Sequence, residues 1–218
     1  MKIRRGGYEL EMASGEHRFS ELEESMKKAA AALRNADVPF LLGGSLAVWA
    51  HGGPEPKKDL DLMVKPDDAR KALDALTGVG MKPEEPPEDW LLKAWDGEVL
   101  IDLIFQALGL PITDEVIARG KRTNVFSIEM PVMALEDVIA TKLLALNEHA
   151  LDYQSVLQVS RAVREQVDWG EVWSRTRHSP YARAFFKLLE DLSVVDRAAL
   201  GEPHRGQVRV VPNVEGAA

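Results

Sequence analysis

The sequence predicts an α+β (mixed α/β) fold: a mixed sheet flanked by helices, followed by a purely helical C-terminal part. Three observations carry this expectation. Short apolar runs near residues 40–42, 59–64 and 99–105 are separated by stretches with helical spacing. Asp96-Gly97 lies between two strand-like runs and is a hairpin signal. From Leu135 onward the patterned stretches keep the helical period, which suggests an α/β unit at 18–130 and a helical domain at 131–200, bounded near Pro131.

Taken in order, residues 1–17 are polar and weakly patterned and read as an arm or short edge strand. Ser20-Glu21-Leu22-Glu23 has the Ser-x-x-Glu form of a capping box. Leu22, Met26, Ala29, Ala30 and Leu33 then mark one face of a helix to about Asn35. Asp37-Val38-Pro39 ends it and leads into a strand at Phe40-Leu41-Leu42. A short helix at 45–51, closed by Gly52-Gly53-Pro54, precedes a strand at 59–64. Pro66-Asp67-Asp68 opens a helix through Leu76, with acids in the first turn where the helix dipole favours them. Residues 82–89, KPEEPPED, read as an acidic, proline-rich loop. Strands follow at 90–95 and 98–105, then a helix near 113–119 and one strand near 124–129. Helices are expected at 135–148, 151–164, 168–176 and 180–192, and residues 201–218, which lack periodicity, as a disordered tail.

Composition narrows the function. The formal net charge of −8 argues against a general nucleic-acid binder, whose footprint is usually basic. One local basic stretch, RTRHSPYARAFFK at 175–187, leaves room for an RNA acceptor. The absence of cysteine excludes disulfides and thiolate metal sites. No apolar run has membrane-spanning length, and the Lys/Arg residues of the first five positions are followed by Gly6-Gly7-Tyr8-Glu9, unlike a secretory signal. The expectation is a cytoplasmic protein with no membrane partner.

The chemistry concentrates at 40–64, FLLGGSLAVWAHGGPEPKKDLDLMV. In Asp59-Leu60-Asp61-Leu62 the acids alternate with apolar residues, so on a strand both carboxylates share one face, about 7 Å apart along the chain. Two like charges so placed repel, and a divalent cation between them removes the repulsion. Gly43 and Gly44 permit close backbone approach, and Ser45 stands at a helix N-terminus, whose free N–H groups suit phosphate. Asp102 is a lone acid inside the apolar run Val99-Leu100-Ile101-Asp102-Leu103-Ile104-Phe105, where an uncompensated carboxylate is costly. Lys142 falls among Leu135, Val138, Ile139, Leu143 and Leu146 on an apolar helix face, so it either snorkels or points at an anion in a cleft. His51 and His149 have no spaced partner and read as helix-end residues rather than zinc ligands. The five tryptophans read as packing or cleft-edge residues, one of which can stack on a base.

Gly-Gly-Ser followed at a gap of about a dozen residues by Asp-x-Asp, with a later strand acid, resembles the DNA polymerase beta-type nucleotidyltransferase superfamily. The stretch LEDVIATKLLAL at 135–146, followed by Leu151-Asp152-Tyr153, resembles its AbiEii/MenT-like toxin branch. The resemblance implies a nucleotidyltransferase-type sheet and transfer of NMP from an NTP to an acceptor hydroxyl. It implies Asp59, Asp61 and Asp102 as catalytic carboxylates holding two Mg2+ ions, with Mn2+ as the alternative. Gly43, Gly44, Ser45, Lys58, Lys142 and Asp152 would contact the nucleotide. The branch's Arg-x-Thr-Lys lead-in is replaced by Glu55-Pro56-Lys57-Lys58, and Leu151 stands where an arginine is usual. The acceptor implied is a tRNA 3′ end, with a cognate antitoxin as partner. A neighbouring branch implies an aminoglycoside or lincosamide, and a protein hydroxyl or a non-catalytic nucleotide-binding module are the other readings.

Overall fold

The computed structural model describes residues 6–56, 59–107 and 110–201. Helix α1 (Gly6–Asn35) leads into β1 (Phe40–Leu42), α2 (Gly44–Ala50) and β2 (Leu60–Val64). A 3-10 turn at Pro66–Asp68 opens α3 (Ala69–Gly78), followed by β3 (Lys82–Glu84), β4 (Leu91–Asp96) and β5 (Val99–Ile104). A two-stranded ribbon, β6 (Gln106–Ala107) and β7 (Leu110–Pro111), precedes α4 (Asp114–Arg119) and the hairpin β8 (Lys121–Val125) and β9 (Ile128–Val132). Helices α5 (Leu135–Leu144), α6 (Tyr153–Val163), α7 (Trp169–Thr176) and α8 (Pro180–Asp191) follow, with a last 3-10 turn at Arg197–Leu200.

Seven strands form one mixed sheet in the order β3-β4-β5-β2-β1-β9-β8. β2 lies parallel to β5 and antiparallel to β1, which in turn is parallel to β9. Period-two alternation sorts the residues: Leu60, Leu62, Val99, Ile101, Leu103 and Ala94 are buried on the face that α1 and α3 cover. Asp61, Asp102 and Lys93 lie on the other face. The β4–β5 hairpin turns at Gly97-Glu98, one residue later than expected, with Asp96 still paired to Val99 and Gly97 at φ +63°. Asp96 is tied to α1 by Ser25 Oγ at 3.0 Å and Lys28 Nζ at 2.6 Å.

Helix α5 packs against α2, α6, α7 and α8. Its Leu135, Val138, Ile139 and Leu143 join a hydrophobic cluster that runs from Met26 and Leu33 on α1 to Phe185 and Phe186 on α8. The sheet and the C-terminal helices therefore share one core. Asp137, also buried on α5, accepts from Arg119 Nε at 3.0 Å, Arg119 Nη2 at 2.7 Å and Arg175 Nη2 at 2.7 Å, a charge clamp joining α4, α5 and α7.

Several expectations are corrected. Ser20 does not start a helix. α1 begins at Gly6, because the stretch 8–19 contains no proline and helix propagates readily from a formed segment. Within 82–89, Lys82–Glu84 forms an edge strand, where Pro83 needs no ladder N–H on the solvent side. The strand expected near 124–129 is a hairpin turning at Phe126-Ser127, both at positive φ (47° and 63°) without the usual Asn-Gly signature. Of the tail expected at 201–218, residues 202–218 lie outside the described residues, as do residues 1–5 of the expected arm.

Candidate active site

The site begins where β1 ends. Gly43 N–H donates to the Asp61 carbonyl at 2.8 Å, and the Gly43 carbonyl accepts from Ala47 N–H at 2.9 Å, so one residue ties the turn to β2 and starts α2. Gly44 adopts φ +56°, and a Cβ there would lie 1.6 Å from Asp61 Oδ2. Only glycine allows the backbone this close to the carboxylate.

Strand register assembles the acids. Asp61 stands directly beside Asp102 in the parallel β2–β5 pair. Burial above all, then the charges of Asp102 and Asp59, pushes the Asp61 carboxyl up to about 6, and Lys142 and Lys93 counteract this in part. Burial also raises the Asp102 pKa, against the opposing pull of Lys93. Asp102 Oδ1 is buried and, among the described residues, accepts no aligned hydrogen bond, although Lys93 Nζ stands 3.3 Å away. Among the described residues, no three His, Asp or Glu side chains are already gathered into a metal cage. The three carboxylates therefore do not form the closed cluster expected from the sequence: they share one electrostatic neighbourhood, and Asp102 leans on Lys93 instead. The donor set still fits a hard divalent cation, being all carboxylate, mutually repelling, and with one buried oxygen lacking an aligned donor.

Two cavities meet at this point. The smaller, about 190 Å³, is lined by Gly44, Ser45, Asp59, Asp61 and Lys142, with Ser155, Gln158 and Val159 of α6. The larger, about 580 Å³, is mostly apolar, with Met63, Trp90, Ile104, Met133 and Val138 in its wall beside Asp61, Asp89 and Lys142. Gly44, Asp61 and Lys142 border both. Lys142 thus faces the cleft rather than snorkelling to a remote surface.

Of the remaining expected residues, Asp152 lines neither cavity. It is exposed, and its Oδ1 accepts from Ser155 N–H at 3.1 Å as the N-cap of α6. Lys58 lies outside the described residues. His51 Nε2 is within 3.0 Å of the Met133 carbonyl at the end of α2, and His149 is exposed beside Glu148. Trp49 stacks on Phe126 at a 5.0 Å centroid distance, Trp169 and Trp173 pack on Phe186, Trp95 donates from Nε1 to Glu84 at 2.6 Å, and Trp90 lines the larger cavity. Sequence reasoning missed Lys93, Asp89, Ser155 and Gln158. The first shows only through cross-strand register, and the others only once α6 and the β3–β4 loop are placed.

The mixed sheet flanked by helices, with the glycine turn at its open face, is a nucleotidyltransferase-like fold. Residues 22–176 match a family described as nucleotidyl transferase of unknown function (DUF2204), and the chain belongs to that family. No curated protein matches the sequence. Among solved structures, the chain resembles ANT(2")-Ia in complex with adenylyl-2"-tobramycin, with TM-score 0.54 and 16% identity over 76% of this chain and 97% of that one. A solution structure of the antibiotic-resistance factor ANT(2'')-Ia gives TM-score 0.55 and 18% identity over 78% and 96%. The lincosamide antibiotic adenylyltransferase LnuA, lincomycin-bound, gives 0.45 and 13% over 62% and 94%.

Proposed function

We propose that the protein transfers NMP from an NTP to the hydroxyl of a small-molecule acceptor, with release of pyrophosphate. The observation that carries this reading is the register of Asp61 beside Asp102 under Gly44, at the junction of two cavities that Lys142 borders. The smaller and more polar of the two cavities suits the triphosphate: Ser45 and the first-turn N–H groups of α2 bind phosphate oxygens, and Lys142 balances their charge. Asp59, Asp61 and Asp102 would hold the divalent ions, Mg2+ or Mn2+, which when bound supply Lewis-acid stabilisation of the attacking and leaving oxygens. Asp102 takes the proton of the acceptor hydroxyl as its oxygen bonds to the α-phosphorus and the bond to the β-phosphate oxygen breaks.

The larger cavity is assigned to the acceptor, with Trp90 as a stacking surface at the rim, 40% exposed, and Asp89 as a polar contact. Its size and apolar wall suit a drug-sized molecule. Against a tRNA 3′ end stands the use of the basic segment. Arg175 is committed to Asp137 and Glu171, Arg183 to the carbonyls of Arg177 and His178, and Lys187 to Asp191. The basic segment therefore adds little electrostatic support to a tRNA acceptor, and with it to the toxin reading and a cognate antitoxin. ANT(2")-Ia, crystallised with adenylyl-2"-tobramycin, is a neighbour whose ligand is consistent with a small-molecule acceptor.

The test is incubation with each labelled NTP and Mg2+, against aminoglycosides, lincosamides and total tRNA. Metal-dependent pyrophosphate release with a labelled small molecule is the expected result. Label on tRNA alone would restore the toxin reading, and NTP binding without turnover on any acceptor would leave a binding module.

A further inference from the structure

Charges form a transverse row across the open face of the sheet. Asp61 on β2 stands beside Asp102 on β5, Asp102 opposite Lys93 on β4, and Lys93 opposite Glu84 on β3. Directly paired residues project from the same face, so the signs along the row run minus, minus, plus, minus. The Lys93 ammonium lies 3.3 Å from Asp102 Oδ1, with both side chains largely covered at 22% and 18% exposure. At that oxygen the contact is a charge contact without an aligned hydrogen bond. On its other side, Glu84 is held by Trp95 Nε1–H, which donates to Oε2 at 2.6 Å, and the Glu84 charge is felt as far as Asp102.

We propose that Lys93 is a positioning residue that competes with the divalent cation for Asp102. It neutralises the third carboxylate while the cation is absent, and it shifts toward Glu84 when Asp102 turns to its ligand. The inference rests on the reading of Asp102 as a cation-holding carboxylate. A permanent hydrogen-bonded ion pair would lock Asp102 away from the cation, and an uncompensated buried acid would be unstable without it. A loosely aligned lysine with a second acid at its back avoids both.

The test is a double-mutant cycle read by calorimetric titration of Mg2+ and Mn2+ into the NTP-free protein, using wild type, Lys93→Met, Asp102→Asn and the double variant. Lys93→Met is expected to tighten divalent binding roughly tenfold, since it removes a like charge beside the ligand. In the Asp102→Asn background the same change should alter affinity less than twofold. Lys93→Gln serves if the methionine variant folds poorly, with the same expectation. Equal tightening in both backgrounds would mean a diffuse field effect and overturn the proposal, as would unchanged affinity in Lys93→Met. If the wild-type chain takes up no divalent cation, the reading of the carboxylates fails instead, and that outcome is separately visible.

Discussion

Gly44→Ala separates backbone strain from site disruption. At φ +56° an alanine costs about 1–2 kcal/mol relative to glycine, offset by about 0.4–1 kcal/mol from the less flexible unfolded chain. The steric conflict is larger in its consequences. The new Cβ would lie 1.6 Å from Asp61 Oδ2, 2.6 Å from its Cγ and 3.0 Å from its Cβ, so the whole carboxyl group must rotate. Moving Asp61 away from Asp102 relieves a repulsion, which keeps the added loss of stability small. The net expectation is a stability loss of about 1 kcal/mol, or a Tm lower by roughly 2–4 °C for a chain of this size. Transfer should fall about 100-fold or more, because a displacement of about 1 Å at a reacting centre has that effect. Urea denaturation and initial rates of pyrophosphate release measure the two quantities. Transfer within threefold of wild type would refute the argument that Gly44 sets the position of Asp61. A collapse in stability with no folded variant recovered would show that the glycine serves folding first.

Three further outcomes are expected. Because the Asp61 pKa in the folded protein lies near 6 rather than 3.8, the folded state holds an extra proton between those values. The stability of the protein in chelator should therefore fall as pH rises from about 4 to about 6 and then level off. Asp61→Asn should remove that fall, on the order of 2–3 kcal/mol by urea titration at pH 7, while abolishing transfer. Lys142→Ala should sharply reduce the NTP-induced thermal shift in Mg2+ and leave ligand-free stability nearly unchanged; a full wild-type shift across the NTP titration would remove Lys142 from the site. Asp137→Asn should cost about 2–3 kcal/mol, less than a fully buried ion pair because Arg119 and Arg175 remain 42% and 35% exposed and can rehydrate, as thermal melts would show.

The local signals in the sequence determined a good deal. Alternation placed Leu60 and Leu62 in the core and Asp61 on the opposite face, and it did the same for Ile101, Leu103 and Asp102, because a strand's side-chain period is two wherever the strand sits. Asp96-Gly97 marked its hairpin, since a turn at positive φ selects glycine. Helices α5 to α8 were legible from apolar spacing, and the glycine turn and Asp-x-Asp pointed to the candidate site because each needs its residue type for a local reason. Tertiary structure alone decided what depends on neighbours distant in the chain. The row from Asp61 through Asp102 and Lys93 to Glu84 exists only once β2, β5, β4 and β3 are in register. The hairpin at Phe126-Ser127 is imposed on residues with no intrinsic preference for positive φ, where strand pairing outweighs local propensity. The resemblance implied Asp152 as a nucleotide contact, and the start of α6 uses its side chain as the N-cap. Asp137 stands in the first turn of α5, and its burial between two arginines follows from α4 and α7 meeting over α5, a convergence that no local pattern encodes.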